Sequence, residues 1–215
     1  MLNTKGGCGK STIACNLAVE AAAEGNKVLI IDDDVQANTV AFHATRNKKD
    51  NITAVQILTP TIGDSVQSFT NFDLIIIDAG GENDEVFREV MLACNLVIIP
   101  TCPSQYDIWA CGDTIKVLKP VRSINRDVHF NKPLPAYFVL NQLIPDAMIS
   151  AEVGQALNDF AEDVKLMNSH LTSLVAFKTS ISNGLGVSEY EPDGKAGLEI
   201  KALYEEIKGL LEGEK

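Results

Sequence analysis

Short apolar runs alternate along the chain with longer segments of helical periodicity. Four runs predict strands, at Lys27–Asp32, Asp73–Asp78, Leu96–Pro100 and Ala136–Asn141. They are apolar almost throughout, as parallel strands buried on both faces are. Helical patterns cover Lys10–Glu24, Glu82–Cys94, Asp107–Lys119, Ala151–Glu162 and Gly197–Glu212. The alternation predicts an α/β protein, with a mostly parallel twisted sheet and helices on both faces.

Length and hydropathy set the expected organisation. With 215 residues and 46% hydrophobic content, the chain can bury one substantial core, and we expect a single domain over residues 1–215. No apolar run approaches the ~18 residues that span a bilayer, and no signal-peptide pattern opens the chain. We therefore expect a cytoplasmic protein without a membrane partner.

The last predicted helix has an apolar stripe, for which two interpretations exist. The stripe consists of Ile200, Leu203, Ile207, Leu210 and Leu211. Such a stripe is typical of a helix docked on a core, or of an anchor on a membrane surface. The polar face here is largely acidic, whereas membrane anchors favour Lys and Arg. We therefore predict docking.

Charge and cysteine content narrow the classes of partner. The formal net charge of −11 argues against a globally basic nucleic-acid binder, so any DNA contact requires a local patch. The five cysteines show no CxxC spacing and indicate reduced thiols rather than a metal cluster.

Trp109 is expected to pack on a helix face.

The segment that precedes the first helix has the pattern of a phosphate-binding loop. It reads Lys5-Gly6-Gly7-Cys8-Gly9-Lys10-Ser11-Thr12. Glycines let backbone N–H groups surround phosphate oxygens, the helix N-terminus adds a positive dipole, and Lys10 reaches the β- and γ-phosphates. Ser11 is placed to bind Mg²⁺. A glycine-rich loop that merely contains two lysines is the alternative, and the later motifs disfavour it.

This octapeptide departs from the ordinary P-loop pattern and has the form KGGxGK[ST]T. It resembles the deviant Walker A motif of the family of ParA, MinD, nitrogenase iron protein and arsenical-pump ATPases. The resemblance implies binding of ATP or ADP with Mg²⁺. It also implies an ATP-dependent homodimer in which Lys5 crosses the interface and touches the partner subunit's nucleotide.

An acidic segment, Asp32-Asp33-Asp34-Val35-Gln36-Ala37-Asn38, follows the first predicted strand. It resembles the family's DxDPQxN switch I, with Val35 where the family usually has proline. By that resemblance Asp34 orients the attacking water and Asp32 supports the Mg²⁺ shell. The carboxyl end of a parallel strand is where such sheets bind ligands. The alternative is an acidic cluster that caps the next helix.

The second predicted strand ends in Asp78, which resembles a Walker B aspartate that holds Mg²⁺ beside Ser11. Ala79-Gly80-Gly81 then resembles switch II, whose glycines let the backbone respond to the γ-phosphate. A strand that only ends in a turn-forming aspartate is the alternative. Ser11, Asp32 and Asp78 are therefore the candidate metal residues.

Two weaker matches follow. Residues Pro100–Asp107 resemble the family's PxxPSxxD loop, and Asn141 ends a strand where relatives place an asparagine near adenine. A turn-forming role for Asn141 is the alternative.

The resemblance runs nearly the length of the chain and is closest to small plasmid-partition ATPases. Ala176–Ile181 and Gly186–Glu191 resemble their AFRTxI and GxSVFE segments, but a longer basic stretch of those proteins is reduced here to Ser182–Leu185. The subtype implies a ParB-like adaptor and non-specific DNA as the track. The best local basic patch is a helical stripe of Lys116, Lys119 and Arg122, with Arg126 beyond Pro120, and Lys178 and Lys195 come next. A solvated helix face is the alternative.

The leading functional hypothesis is thus an ATPase that dimerises on ATP and is reset by slow hydrolysis, with Lys10, Lys5 and Asp34 as catalytic residues. Positioning of a cargo other than DNA, an iron-protein-like reductase that uses Cys94 and Cys102, and a non-catalytic scaffold are the alternatives. One feature is unusual, since only Met1-Leu2 precede Asn3 where a complete strand is expected.

Overall fold

The computed structural model describes residues 1–58, 62–80, 84–128, 133–144 and 148–213. The strands are β1 (Val28–Asp33), β2 (Ile52–Gln56), β3 (Leu74–Ala79), β4 (Val97–Thr101), β5 (Ala136–Leu143) and β6 (Lys165–Thr172). The helices are α1 (Lys10–Ala23), α2 (Asn38–Thr45), α3 (Ile62–Ser68), α4 (Asp84–Ala93), α5 (Gln105–Val128), α6 (Met148–Leu157), α7 (Val175–Ser182), α8 (Val187–Tyr190) and α9 (Lys195–Glu212), with a 3₁₀ turn at Asn158–Phe160. The four predicted strands are all present.

The strands form two parallel three-stranded sheets, in the orders β2-β1-β3 and β4-β5-β6. Successive side chains of a strand point to opposite faces. On β1, Leu29 and Ile31 therefore join one buried cluster with α4 and α5, while Val28 and Ile30 join another with α1 and α9. The predicted α/β architecture with helices on both faces is confirmed.

The short segment Met1–Asn3 lies between β3 and β4 and connects the two sheets. The Met1 nitrogen donates to Ile77 O at 2.6 Å, and Ala79 N donates to Met1 O at 3.2 Å, which is the pairing of a parallel strand. On the other side Leu2 N donates to Ile98 O at 3.0 Å. Pro100 has no N–H to return a bond to Leu2, because its nitrogen belongs to the ring. The segment thus acts as a minimal strand.

Helix α5 is longer than predicted. The sequence suggested an end at Lys119 because Pro120 removes a helical hydrogen bond, but α5 continues to Val128. Pro120 is exposed, so water can reach the carbonyl that loses its partner, while Leu118 and Val121 on either side are buried in the core. Burial of this face holds the helix together through the proline.

Helix α9 docks on the core, as predicted. Ile200, Leu203 and Tyr204 are buried. Two carboxylates of α9 also cover the edge strand β6: Glu206 accepts from Asn168 N and Ser169 N at 2.9 and 2.8 Å, and Glu199 accepts from Thr172 N at 2.8 Å. In the part of the chain that the structure describes, no helix is long and apolar enough to cross a bilayer.

A group of ion pairs, which we call the Arg46 cluster, joins the end of α2 to α8. It consists of Arg46, Lys48, Asp50 and Glu189. The Arg46 guanidinium donates to both Glu189 oxygens at 2.9 and 3.0 Å, to Asp50 and to Gly184 O, and Lys48 donates to Glu189. Burial raises the pKa of Glu189, but the hydrogen bonds from these donors and from the Gly186 N–H outweigh that effect and lower the pKa to about 2.

Candidate nucleotide site

The predicted phosphate loop forms a turn that leads from Met1–Asn3 into α1. Gly7 and Gly9 have φ values of 80° and 93°, which side-chain-bearing residues rarely adopt. Gly9 is the N-cap of α1, and among the described residues no side chain caps this helix. The first-turn N–H groups and the positive end of the helix dipole are therefore available to an anion.

Lys10 is buried and turns back over the loop. Its ammonium donates to Asn3 O and to Lys5 O, both at 3.2 Å. Neutral carbonyls are weaker partners for a buried ammonium than phosphate oxygens. The arrangement suits an exchange of these carbonyls for the phosphates of a nucleotide.

Lys5 occupies a different position, at the rim of the loop. Its ammonium lies 2.5 Å from Asp107 Oδ2, and its side chain is 37% exposed while that of Asp107 is 2% exposed. Ser104 also donates to this carboxylate. Asp107 is the last residue of the PxxPSxxD resemblance, so that loop holds the lysine that is predicted to cross a dimer interface.

Asp78 is buried beside Ser11 at the end of β3. Neither of its carboxylate oxygens has a hydrogen-bond partner among the described residues. Burial raises the pKa of Asp78 to about 6, and nearby Ser11 and Lys10 offset part of this effect. A buried carboxylate without a donor is costly, and a divalent cation would remove that cost.

Mg²⁺ fits this position. The described residues bring no group of three or more His, Cys, Asp or Glu side chains together as a cage, but Mg²⁺ commonly uses one or two protein oxygens together with phosphate oxygens and water. Ser11 and Asp78 would supply the protein oxygens. Bound Mg²⁺ would supply charge to neutralise phosphates.

The segment that resembles switch I contains two aspartates, Asp32 and Asp34, with different hydrogen-bond partners. The Asp32 carboxylate accepts hydrogen bonds from Asp34 N, Thr39 N and Thr39 Oγ1 at 3.0, 2.8 and 2.7 Å. It therefore organises the start of α2, and a contribution of Asp32 to the Mg²⁺ shell stays a prediction. Asp34 lies nearer the surface, where its Oδ1 accepts only from Gln36 N among the described residues, at 2.9 Å.

Asp33 and Gly80 lie where the segments that resemble switch I and switch II meet. Burial and the carboxylates of Asp32, Asp34 and Asp78 raise the pKa of Asp33 to about 7. A Cβ on Gly80 would lie 2.7 Å from Asp33 O, so only glycine permits this approach of the chains. Gly81 lies outside the described residues.

Asn141 contacts the phosphate loop directly. Its Nδ2 donates to Cys8 O at 2.8 Å, and a Cβ on Gly9 would meet that nitrogen at 2.1 Å. Gln142, with φ of 56°, donates to Gly7 O at 3.0 Å. The two amides therefore brace the loop, and a contact of Asn141 with adenine stays a prediction.

The cysteines do not form a cluster site in the described residues. Cys94 and Cys102 lie beyond opposite ends of β4. Burial raises the pKa of Cys94, and that of Cys102 to about 12. Metal clusters bind thiolates, so both observations argue against the reductase hypothesis.

The basic stripe on α5 is largely neutralised within the chain. Lys116 pairs with Asp113 at 2.7 Å, and Lys119 pairs with Asp163 at 2.9 Å. Arg122 donates to the backbone oxygens of Leu134 and Asp163. The Arg126 side chain lies outside the described residues, Lys178 is exposed, and Lys195 lies 3.7 Å from Glu199.

The structure thus brings Lys5, Lys10, Ser11, Asp78 and Asn141 to one edge, at the carboxyl ends of the strands. The catalytic, nucleotide and metal roles assigned to individual residues stay predictions. Sequence reasoning included Asp107 in the PxxPSxxD resemblance but missed its contact with Lys5, and it missed Gln142 altogether; each lies more than one hundred residues from its partner. It also missed Trp109 as a surface residue, since its side chain is exposed rather than packed.

Comparison with known proteins defines the class. A family model described as the CobQ/CobB/MinD/ParA nucleotide binding domain matches residues 1–209. The chain belongs to this family and is a ParA/MinD-like P-loop ATPase.

Particular relatives agree with this assignment. The chain is 25% identical over 211 residues to the maintenance of carboxysome distribution protein A of Halothiobacillus neapolitanus, covering 95% of this chain and 93% of that protein. Among solved structures, an ATP complex of a Cyanothece McdA variant matches with a TM-score of 0.77 at 14% identity, covering 96% of this chain and 94% of the other. Pyrococcus horikoshii MinD with Mg-ADP matches with a TM-score of 0.76 at 20% identity, covering 100% and 96%. The structural matches establish the fold.

Proposed function

We propose that this protein is a switch that dimerises on binding Mg-ATP and returns to the monomer by slow hydrolysis. The observation that carries the proposal is the separation of the two lysines of the phosphate loop. Lys10 turns inward over the loop, whereas Lys5 lies at the rim, held by Asp107. Lys10 would bind phosphates of its own subunit, and Lys5 would exchange Asp107 for the nucleotide of a second copy.

Hydrolysis in this scheme depends on groups that the chain positions before water attacks. Ser11 and Asp78 would hold Mg²⁺, Lys10 and the partner's lysine would offset phosphate charge, and Asp34 would orient the attacking water. Asp34 is half-buried, and one of its carboxylate oxygens accepts a hydrogen bond from Gln36 N, which would hold it for this role. Turnover without an adaptor is expected to be slow.

The test replaces Lys5 with alanine and follows the mass by light scattering, with a non-hydrolysable ATP analogue and Mg²⁺. Lys5→Ala should bind the analogue as a monomer and fail to dimerise. Lys48→Ala is a matched control, because Lys48 is also partly exposed and ion-paired to a carboxylate but lies in the Arg46 cluster. An undiminished Lys5→Ala dimer would contradict the proposed role of this lysine.

We favour the positioning of a cargo other than DNA as the biological role. Two observations support it: the α5 stripe is paired with carboxylates and carbonyls of the same chain, and a relative that matches nearly the full chain is named for carboxysome distribution. An adaptor on that cargo would stimulate hydrolysis.

DNA partition with a ParB-like adaptor is the second candidate, favoured by the end-to-end resemblance to plasmid-partition ATPases. It requires DNA binding by the ATP dimer that weakens steeply with salt, because contacts with phosphates release counterions. The measurement is a salt titration of duplex binding by wild type and a Lys116→Glu, Lys119→Glu variant. No binding at low salt would reject DNA as the track. Binding that is unchanged in the variant would show that the DNA-binding patch lies elsewhere, with Lys178 and Lys195 as the next candidates.

A further inference from the structure

Two aromatic side chains stand on the surface at the start of α5. Tyr106 is 71% exposed and Trp109 is 60% exposed. Their rings are 5.4 Å apart at an interplanar angle of 90°, an edge-to-face contact that holds them together. We call Tyr106 and Trp109 the aromatic surface. The intervening Asp107 is buried and faces Lys5, so the aromatic surface adjoins the rim of the phosphate loop.

Other exposed apolar side chains lie along the same edge of the molecule. Val35 follows β1, Leu58 follows β2 and Val175 follows β6, while Tyr106 and Trp109 follow β4. The carboxyl ends of parallel strands share one edge, and the phosphate loop opens there too. Tyr and Trp are among the residues enriched in protein interfaces and in their energetic hot spots. This edge, which holds the phosphate loop and the carboxyl ends of the strands and which we call the nucleotide edge, therefore has the composition of a protein contact surface.

Local charge favours a second copy of this chain as the partner. The chain carries a net charge of −11, so two copies repel one another over most of their surface. Between Thr101 and Gly112, however, Asp107 is the sole ionisable acid or base other than cysteine and tyrosine, and its side chain is only 2% exposed, so it puts no charge on the surface between the two rings. A neutral aromatic patch can face itself across a two-fold axis without juxtaposing like charges.

We propose that Tyr106 and Trp109 are the apolar anchors of the contact between two copies of this chain in the nucleotide-bound dimer. The inference rests on the proposed function, since that dimer brings Lys5 towards the other subunit. Lys5 leaves from Asp107, one residue from Tyr106 and two from Trp109. The same approach would therefore bury the aromatic surface and release Lys5 towards the partner's nucleotide.

Trp109 is the one tryptophan of the chain, so its emission reports this surface alone. Emission of an indole shifts to shorter wavelength when water leaves it. We expect this shift after addition of Mg²⁺ and a non-hydrolysable ATP analogue, with a midpoint that follows protein concentration and matches the light-scattering midpoint. Lys5→Ala should bind the analogue without the shift.

Variants measure the contribution of the surface to dimerisation. Trp109→Ala and Tyr106→Ala should each raise the dimer dissociation constant about tenfold or more, as truncation of interface anchors does. Binding of the analogue to dilute monomer should stay unchanged, because neither ring lines the phosphate loop. Leu198→Ala is the matched control: Leu198 is 59% exposed, but it lies on α9.

The outcomes separate this inference from the proposed function. The inference would be overturned if the wild-type dimer formed without a shift in Trp109 emission and if Trp109→Ala and Tyr106→Ala left the dimer dissociation constant unchanged. The proposed switch would still stand in that case. A wild type that stays monomeric with the analogue would reject both. A dimer whose emission shifts only after a different protein is added would assign the surface to an adaptor, which also overturns the inference.

Discussion

The nucleotide edge and the Arg46 cluster use charged side chains in opposite ways. In the Arg46 cluster every charge of the described residues has a partner of opposite sign, and Arg46 also donates to a carbonyl. At the nucleotide edge, Asp78 is buried without a hydrogen-bond partner, and Lys10 contacts only neutral carbonyls among the described residues. Removal of one partner from a matched buried pair leaves an unpaired charge and is destabilising, whereas a buried charge that is already unmatched marks the position of a ligand. Five substitutions, one of them a control, test this contrast.

The largest effect is expected from Lys10→Ala. It removes the ammonium that would meet the phosphates, so nucleotide affinity should fall at least about 1000-fold, or about 4 kcal/mol. The free energy of unfolding without nucleotide should change little, since only bonds to carbonyls are lost. Titration with a fluorescent nucleotide and chemical denaturation measure the two quantities. Affinity like that of wild type would remove the phosphate-loop assignment.

Arg46→Ala should have the reverse signature. It leaves the Glu189 carboxylate without its main partner, and we expect a loss of about 3 kcal/mol in the free energy of unfolding. Monomeric nucleotide binding should persist. Lys48→Ala, which removes a more exposed partner of the same carboxylate, should cost less than about 1 kcal/mol. Equal losses in the two variants would show that burial of the pair is unimportant.

The same cluster predicts a dependence on pH. The pKa of Glu189 is lowered to about 2 in the folded chain, against an ordinary value of about 4.3. The stabilisation is therefore complete above the ordinary pKa and is lost as the pH falls from about 4.5 towards 2. After allowance for partial exposure it amounts to about 2 kcal/mol. Acid denaturation of Arg46→Ala should show a smaller component of this kind, because only Lys48 and the Gly186 N–H still bind the Glu189 carboxylate.

Asp34→Ala should affect turnover alone. The carboxylate would act on water after the dimer has formed, so the hydrolysis rate should fall about 100-fold, or about 2.7 kcal/mol, while affinity and dimerisation remain. Phosphate release and light scattering on the same sample measure both. Normal turnover would place the water-orienting group elsewhere on the nucleotide edge.

Asp78→Asn should have the smallest effects, and they should be opposite in sign for stability and for nucleotide affinity. Asp78→Asn removes a buried charge that has no donor, so without Mg²⁺ and nucleotide the variant should be more stable than wild type by about 1 kcal/mol at pH 7. Its affinity for Mg-nucleotide should fall about tenfold. A chelator defines the metal-free state. Lower stability of the variant under those conditions would contradict the assignment of Asp78 to a cation.

The sign of the pH dependence at Asp78 follows from its raised pKa. The folded chain holds the proton up to about pH 6, whereas the unfolded chain releases it near pH 3.9. Wild type should therefore lose stability as the pH rises from about 4 to 6, and Asp78→Asn should lose less, because Asp33, whose pKa is raised to about 7, still contributes in both proteins.

The sequence predicted what local patterns encode. The four apolar strands were correct, and the predicted loop does form a turn that leads into α1, because in each case the residues are neighbours in the chain. Strands β2 and β6 were both missed. In β6, Asn168 and His170 interrupt the apolar pattern, and Glu206 of α9 accepts from its outer N–H groups. The Lys5–Asp107 pair joins residues 102 positions apart, which no local pattern reports.

The carboxylates of α9 on β6 have a consequence for behaviour at high concentration. An exposed sheet edge is a template on which another chain can add a strand, and such addition leads to fibres. Glu199 and Glu206 occupy the N–H groups that an added strand would need. Their negative charges would also repel another acidic chain. These carboxylates therefore oppose the addition of a strand to β6. Association between copies is then left to the nucleotide edge, whose exposed side chains are apolar rather than acidic.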